Sequence, residues 1–143
     1  LFNCLPDNAI PEMLKAGRGA IVNTGTIAAV IARGGTCYGT GKSGVLSLTR
    51  AMAADYFRHN IRVNAVCPSA VDTGMLYNAA LVRRMKRGMT LEEAKESFIH
   101  SDQGLSLPEE IAPSFLLLAS DQLSRKINGH ILLTDNGFSR MRL

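Results

Sequence analysis

Three short strand-like runs alternate with longer helical patterns along this chain, and this alternation is the strongest limit on its fold. The runs are Ala20 to Val22, Ile61 to Val66 and His130 to Thr134. The first is continuously apolar, which is typical of a strand buried on both faces. Helices and strands in alternation indicate a doubly wound α/β fold with a parallel sheet. The loops after the three runs should then open at one edge of the sheet, the carboxyl edge, where such folds bind ligands.

The segments around these runs carry helical patterns. A first helix is expected from about Pro6 to Lys15, ending at Gly17, and Pro6 predicts that it starts late or is kinked. The longest helix should run from about Cys37 to His59, because apolar residues recur on one face at Val45, Leu48, Met52 and Tyr56. Two further helices are expected in and after the polar, otherwise irregular segment 69–104: Leu91 to His100, and one that begins at Pro108.

The composition is that of an ordinary soluble globular domain of 143 residues, with 46% apolar and 20% charged residues. The 16 basic and 12 acidic residues give a net charge of +4, part of which comes from the cluster Arg83 to Arg87. A short basic cluster without interleaved aromatic residues indicates a solvated surface. No apolar stretch reaches the roughly 18 residues of a membrane span. We therefore expect a cytoplasmic protein that binds neither nucleic acid nor membrane.

Cysteine and histidine spacing argues against a disulfide framework and against a metal site. The cysteines are odd in number and lack a CxxC spacing, so we expect reduced core residues at Cys4, Cys37 and Cys67. The histidines stand alone, with no ligand partner at a zinc-like spacing: His59, His100 and His130. No metal is therefore expected.

Tyr38 and Lys42 are the best candidates for a chemical centre. They are four residues apart in the longest predicted helix, so their side chains should share one face. A free tyrosine has a pKa of about 10, too high for efficient proton transfer at neutral pH, and a nearby cation lowers such a pKa. Because this helix follows the first strand-end loop, the pair should lie at the carboxyl edge as an acid/base centre.

A phosphate-binding loop is a competing interpretation of the segment Gly39 to Ser43. That motif needs a glycine five residues before Gly41, where this chain has Thr36, and Gly35 is one place off. The motif should also leave a strand directly, whereas Val22 lies far upstream. Both observations disfavour this alternative.

A series of segments, taken in order and at this spacing, resembles the short-chain dehydrogenase/reductase family over nearly the whole chain. These segments are Gly19 to Asn23, Tyr38 to Lys42, Ile61 to Pro68, Val71 to Thr73, Pro108 to Ala112, Ile127 to His130 and Asp135 to Gly137. The resemblance implies a Rossmann-type domain that uses NAD or NADP to oxidise an alcohol or reduce a carbonyl compound. It also implies a homodimer or homotetramer, with residues 69–104 covering the substrate.

The resemblance assigns roles to individual residues. Tyr38 would be the general acid/base, and Lys42 would assist it and hold the nicotinamide ribose. Thr26, in the loop after the first strand, is the residue best placed to polarise the substrate carbonyl with its hydroxyl. Tyr38 and Lys42 would also contact the cofactor, together with residues after the second strand: Pro68, Ser69, Val71 and Thr73.

Two departures from the family pattern concern these residues. Family members usually carry serine thirteen residues before the tyrosine, where this chain has Gly25, whereas Thr26 stands twelve before it. Counting from Asn23 favours Thr26, and counting from Tyr38 favours Gly25. The family's Pro-Gly is here Pro68-Ser69, and serine would be strained if the position required a positive φ.

The family's glycine-rich phosphate loop, its cofactor-selecting residue and its catalytic asparagine would all precede Leu1. We therefore interpret residues 1–143 as the C-terminal portion of a single Rossmann-type domain, in which the choice between NAD and NADP cannot be read. The strand at Ala20 to Val22 would then be an unpaired edge. The alternative is a truncated, inactive chain that acts at most as an oligomerisation partner.

Overall fold

The computed structural model describes residues 8–31, 36–99 and 105–142. These residues form a sheet of three strands: β1 (Gly19–Thr24), β2 (Ile61–Pro68) and β3 (Ile131–Thr134). The strand order is β1-β2-β3, and both pairs are parallel. Gly19 lies opposite Ile61, and Ala65 lies opposite Ile131. The predicted parallel α/β sheet is confirmed, and within the described residues β1 is an edge strand, as expected.

Helices connect and cover the strands. They are α1 (Ile10–Ala16), α2 (Thr36–Tyr56), α3 (Gly74–Arg87), α4 (Leu91–Ile99), α5 (Pro108–Ala119) and α6 (Asp121–Ser124), with 3₁₀ turns at Ile27–Ala29, Phe57–His59 and Phe138–Arg142. Among the described residues, no helix is both long and apolar enough to cross a membrane.

The central strand β2 alternates between two apolar cores. On one face, Ile61 and Val63 pack with Met52 and Ala53 of α2. On the other face, Val66 packs against Ile111 and Leu118, which belong to α5. Because successive side chains of a strand point to opposite faces, β2 is buried on both sides and positions α2 and α5 relative to each other.

The first helix ends where the sequence predicts. Gly17 adopts a left-handed conformation with φ 68°, and its N–H donates to the Leu14 carbonyl, which is a common way for a helix to end. Pro11 lies in the first turn, where the missing N–H has no helical partner in any case. The expected disturbance at Pro6 lies outside the described residues.

One secondary-structure expectation is wrong. The segment expected to be irregular before Leu91 contains the 14-residue helix α3. Its second half is rich in leucine, methionine, arginine and lysine, which are strong helix formers, so intrinsic propensity favours this helix. Helix α4 begins at Leu91 as expected and is described to Ile99.

The cysteine expectation is confirmed for one residue and wrong for another. Cys67 is fully buried in β2, whereas Cys37 is exposed in the first turn of α2. Cys4 lies outside the described residues.

Candidate active site

The loop after β1 lies directly on the carboxyl end of β2. The Gly25 N–H donates to the Val66 carbonyl at 2.7 Å. A Cβ at Gly25 would lie within 3.0 Å of both Cys67 Sγ and Leu46 Cδ2, closer than real side chains essentially ever come. Position 25 therefore has no room for the serine that a count back from Tyr38 would place there.

Thr26 is the first residue of this loop with a hydroxyl that could act in the site. It is extended, with φ −166° and ψ 151°, and only 9% exposed. Its Oγ1 accepts a hydrogen bond from the Ala28 N–H at 3.3 Å and so caps the 3₁₀ turn that follows. Because Oγ1 acts as an acceptor here, its own proton remains free to donate to a ligand.

Two side chains from the beginning of α2 attach this helix to the loop after β1. Lys42 Nζ donates to the Thr24 carbonyl at 2.9 Å, and Ser43 Oγ donates to the Ala29 carbonyl at 3.2 Å. Lys42 is thereby held two residues from Thr26 along the loop. The ammonium has two further donor positions, which can serve a bound hydroxyl group.

Tyr38 lies one helical turn before Lys42 within α2, so the predicted shared face exists. Its side chain is 43% exposed, and the residues directly before α2, 32–35, lie outside the described part of the chain. A Cβ at Gly41 or Gly44 would meet no atom within 4 Å in the described structure. Packing within the described chain therefore does not require these two glycines.

The segment after β2 carries the four residues assigned to the nicotinamide. The Ser69 N–H donates to the Thr134 carbonyl at 3.4 Å, and Val71 forms a parallel bridge with Ser106. The Thr73 carbonyl accepts from the backbone N–H groups of α3's first turn. Within the described residues, positive φ occurs outside glycine only at Asn60 and Asn136, so the strain considered for Ser69 does not arise.

Buried hydroxyls without a hydrogen-bond partner among the described residues occur at this edge. Neither Ser69 Oγ nor Thr134 Oγ1 has a hydrogen bond among the described residues. Buried polar groups are normally satisfied, so each of these two atoms marks a place for a water molecule or a polar ligand group. Sequence reasoning had not singled out Thr134, although it ends the third predicted strand at the edge where the other candidates lie.

Cys67 is a second residue at this edge that sequence reasoning did not assign to the site. Burial raises the pKa of its thiol, while a hydrogen bond from the Thr26 backbone and the charges of Lys42 and Arg50 oppose the rise. The thiol is therefore protonated at neutral pH and lies beneath the loop that carries Thr26. No sequence pattern predicts this contact, because the two residues are distant in the chain.

Asp135 organises the turn after β3. Its carboxylate accepts hydrogen bonds from the backbone N–H groups of Gly137 at 3.2 Å and Ser139 at 2.8 Å. Burial alone would raise the pKa of this carboxyl, but the hydrogen bonds from Ser139 and Gly137 outweigh burial and lower it. Both oxygens are thus used within the protein, which makes Asp135 a structural residue.

Comparison with known proteins identifies the family of this chain. A short-chain dehydrogenase family model, described as enoyl-(acyl carrier protein) reductase, matches residues 2–139. The chain belongs to the short-chain dehydrogenase/reductase family. A 2,5-dichloro-2,5-cyclohexadiene-1,4-diol dehydrogenase of Sphingobium indicum is 37% identical over 141 residues, which are 96% of this chain and 53% of that protein. The chain spans about half the length of the curated relatives it matches.

Solved structures of this short-chain dehydrogenase/reductase type share the fold. Levodione reductase superposes with a TM-score of 0.85 at 30% identity, over 97% of this chain and 53% of the other. A structure of ElxO with NADP bound gives a TM-score of 0.72 at 29% identity, over 96% of this chain and 52% of the other. The expected Rossmann-type architecture is therefore confirmed for the half of the domain that this chain contains.

The residues present fit the nicotinamide side of such a cofactor. The hydroxyls of Thr26, Ser69 and Thr134 follow or end the three strands, those of Ser69 and Thr134 have no partner among the described residues, and Lys42 of α2 is bonded to the end of β1. The contacts join Lys42, Gly25 and Ser69 to the same sheet edge through the carbonyls of Thr24, Val66 and Thr134. The individual roles given to the seven candidate residues remain predictions.

Proposed function

We propose that this chain forms the catalytic and nicotinamide-binding part of an NAD(P)-dependent oxidoreductase that interconverts an alcohol and a carbonyl compound. The observation that carries the proposal is the hydrogen bond from Lys42 to the Thr24 carbonyl. It fixes α2, one turn after Tyr38, against the end of β1, two residues before Thr26.

In this proposal, each side chain acts on the substrate oxygen or holds the cofactor. Thr26 donates a hydrogen bond to the carbonyl oxygen, which stabilises the negative charge that develops there. Tyr38 supplies the proton that completes the alcohol and takes it back in the oxidation direction. Lys42 uses its free donor positions for the ribose hydroxyls, and Ser69, Thr134 and the backbone near Val71 offer polar partners to the nicotinamide. The bound nicotinamide supplies or accepts the hydride.

The substrate class rests on the alcohol/carbonyl chemistry of the family, and a relative named as a diol dehydrogenase supports it. Helices α3 and α4 pack against each other beside the segment after β2, where we expect them to cover the substrate. Met75 and Met85 of α3 are 70% and 79% exposed, so they are available to contact a ligand or another part of the protein. The cytoplasmic location and the homodimeric or homotetrameric state remain predictions.

The test compares two lengths of the protein. NADH and NADPH are titrated into the 143-residue chain, and into the chain extended upstream along its own reading frame to the length of its relatives, with nicotinamide fluorescence as the signal. We expect the extended protein to bind one of the two cofactors and to turn over a secondary alcohol or ketone. An extended protein that binds neither cofactor would refute the proposal.

The same titration tests the inactive-fragment alternative, which is supported by the edge position of β1 among the described residues. Binding of either cofactor by the 143-residue chain alone would contradict that alternative. Binding by the extended protein only would place the missing half of the cofactor site upstream.

A further inference from the structure

Gly25 and Cys67 meet where the loop after β1 crosses the end of β2. Because a Cβ at position 25 would overlap Cys67 Sγ, glycine is required there as long as the sulfur occupies its present place. Cys67 has little freedom to move, because it is fully buried in a cluster with Leu46 and Ala65. Protein interiors are packed densely, so another sulfur position would disturb these neighbours.

The same sulfur also contacts the next residue of the loop. The Thr26 backbone N–H lies close enough to Cys67 Sγ to lower the pKa of the thiol, against the larger effect of burial. The loop is thus held by two hydrogen bonds, from Lys42 to the Thr24 carbonyl and from the Gly25 N–H to the Val66 carbonyl, and Thr26 lies against the Cys67 sulfur. Two of these three contacts come from the last residues of β2, which is the most buried strand.

We infer that Cys67 is a positioning residue: its sulfur excludes any side chain at position 25 and fixes the backbone of Thr26, so that the reactive hydroxyl stands at position 26. Gly25 and Cys67 are a matched pair: a side chain at position 25 requires a smaller residue at position 67, whereas Leu46 Cδ2, the other atom within 3.0 Å, is the end of a flexible side chain. The catalytic part of this inference rests on the proposed function. The steric pairing of Gly25 with Cys67 does not depend on activity.

The steric part is tested with a size exchange on the 143-residue chain. Gly25→Ala should lower the melting temperature by about 5 °C or more, because the added methyl group overpacks the site. Gly25→Ala combined with Cys67→Ala should recover most of this loss, since the sulfur is removed. Gly44→Ala is the matched control, because its Cβ meets nothing within 4 Å and should cause no loss.

The positioning part is tested by turnover in the shortest version of the protein that is active in the cofactor experiment. Cys67→Ala should lower kcat about tenfold with little change in KM, because a small displacement of a catalytic group slows the chemical step. In a Thr26→Ala background, Cys67→Ala should cause no further loss of kcat. Cys37→Ala, at an exposed cysteine, is the control and should leave kcat unchanged.

Two results would overturn the inference. One is a Gly25→Ala variant as stable as Gly44→Ala, or one that Cys67→Ala fails to rescue. The other is an equal loss of kcat from Cys67→Ala with and without Thr26. If no version of the protein turns over, the proposed function fails, and the melting experiment still decides whether the Gly25–Cys67 pairing exists.

Discussion

The two edges of the sheet use their polar groups in opposite ways. At the amino edge, where the strands begin, the buried Arg62 side chain donates hydrogen bonds to four acceptors of the protein. At the carboxyl edge, Ser69 Oγ and Thr134 Oγ1 have no partner among the described residues, and Tyr38 is exposed. Polar groups that the protein satisfies itself hold the fold together, whereas polar groups left unsatisfied are available to a ligand.

Arg62 is the clearest example of a hydrogen-bonded polar group at the amino edge. Its guanidinium donates to the carbonyls of Leu118 at 2.8 Å and Ala119 at 3.2 Å, to Ser124 Oγ at 3.0 Å and to Asp121 Oδ1 at 2.9 Å. These bonds tie the end of α5 and the start of α6 to β2. The guanidinium therefore closes the unpaired carbonyl end of α5.

A sizeable cleft also lies at the amino edge of the sheet. A cleft of about 880 Å³ opens at the amino edge, with Arg62, Asp121 and Arg125 among its lining residues. Arg62 and Asp121 in this cleft are paired with each other, whereas Ser69 Oγ and Thr134 Oγ1 at the carboxyl edge have no partner among the described residues. The chemistry of the lining residues thus locates the candidate site better than the volume does.

The largest effect is expected from Tyr38→Phe at the carboxyl edge. Removing the phenol should lower turnover about 10²- to 10⁴-fold, because the substrate oxygen loses its proton donor. The free energy of unfolding should change by no more than about 0.5 kcal/mol, since the side chain is largely exposed. Tyr56→Phe, on the same helix but packed against the core, is the control for activity. Turnover within a few-fold of the parent would remove Tyr38 from the mechanism.

Arg62→Met should produce the opposite result at the amino edge. The carbonyls of Leu118 and Ala119 would lose their donor, so the free energy of unfolding in urea should fall by about 2–4 kcal/mol. Activity per folded molecule should stay unchanged. Arg58→Met, at an exposed position before β2, is the matched control and should alter stability little. An Arg62→Met protein of parental stability would contradict the structural role of this edge.

A pair of serine substitutions compares the edges directly. Ser124 Oγ accepts from Arg62 and lies 3.1 Å from the Leu118 carbonyl, so Ser124→Ala should cost about 1–2 kcal/mol of stability. Ser69→Ala removes a buried hydroxyl without a described partner and should be neutral or stabilising by up to about 1 kcal/mol. Ser69→Ala should at the same time weaken nicotinamide binding in the cofactor titration. If both variants lose equal stability, the contrast between the edges is wrong.

The sequence predicts the order of elements better than it predicts the contacts that assemble the site. Apolar runs, Gly17 and the Tyr38–Lys42 spacing are local signals, and the strands, the first helix end and the shared face of α2 followed from them. The Gly25–Cys67 contact joins residues 42 positions apart, so no periodicity reports it. The position of the candidate hydroxyl was therefore ambiguous until the packing of the loop on β2 was known.

The smallest expected effect concerns stability at acidic pH. It compares one carboxylate at each edge: Asp121 at the amino edge and Asp135 at the carboxyl edge. The hydrogen bond from Arg62 lowers the pKa of Asp121, and the hydrogen bonds at Asp135 outweigh its burial and lower that pKa as well. A carboxyl whose pKa is lower in the folded state stabilises the protein above its unfolded pKa of about 4, and this stabilisation is lost as the pH falls through the folded value.

The free energy of unfolding should therefore decrease on acidification below a pH of about 4, and both Asp121→Asn and Asp135→Asn should flatten this decrease. The pKa of Glu93 is also lowered, by hydrogen bonds from Thr90, and it contributes equally in both variants. We expect the flattening caused by Asp135→Asn to persist in 1 M salt, because the hydrogen bond from the Ser139 N–H to Asp135 is buried. The flattening caused by Asp121→Asn should shrink in 1 M salt, because the Asp121 side chain is 53% exposed. Urea unfolding at several pH values measures both slopes. Equal salt sensitivity at the two positions would show that the edges do not differ in how their charges are held.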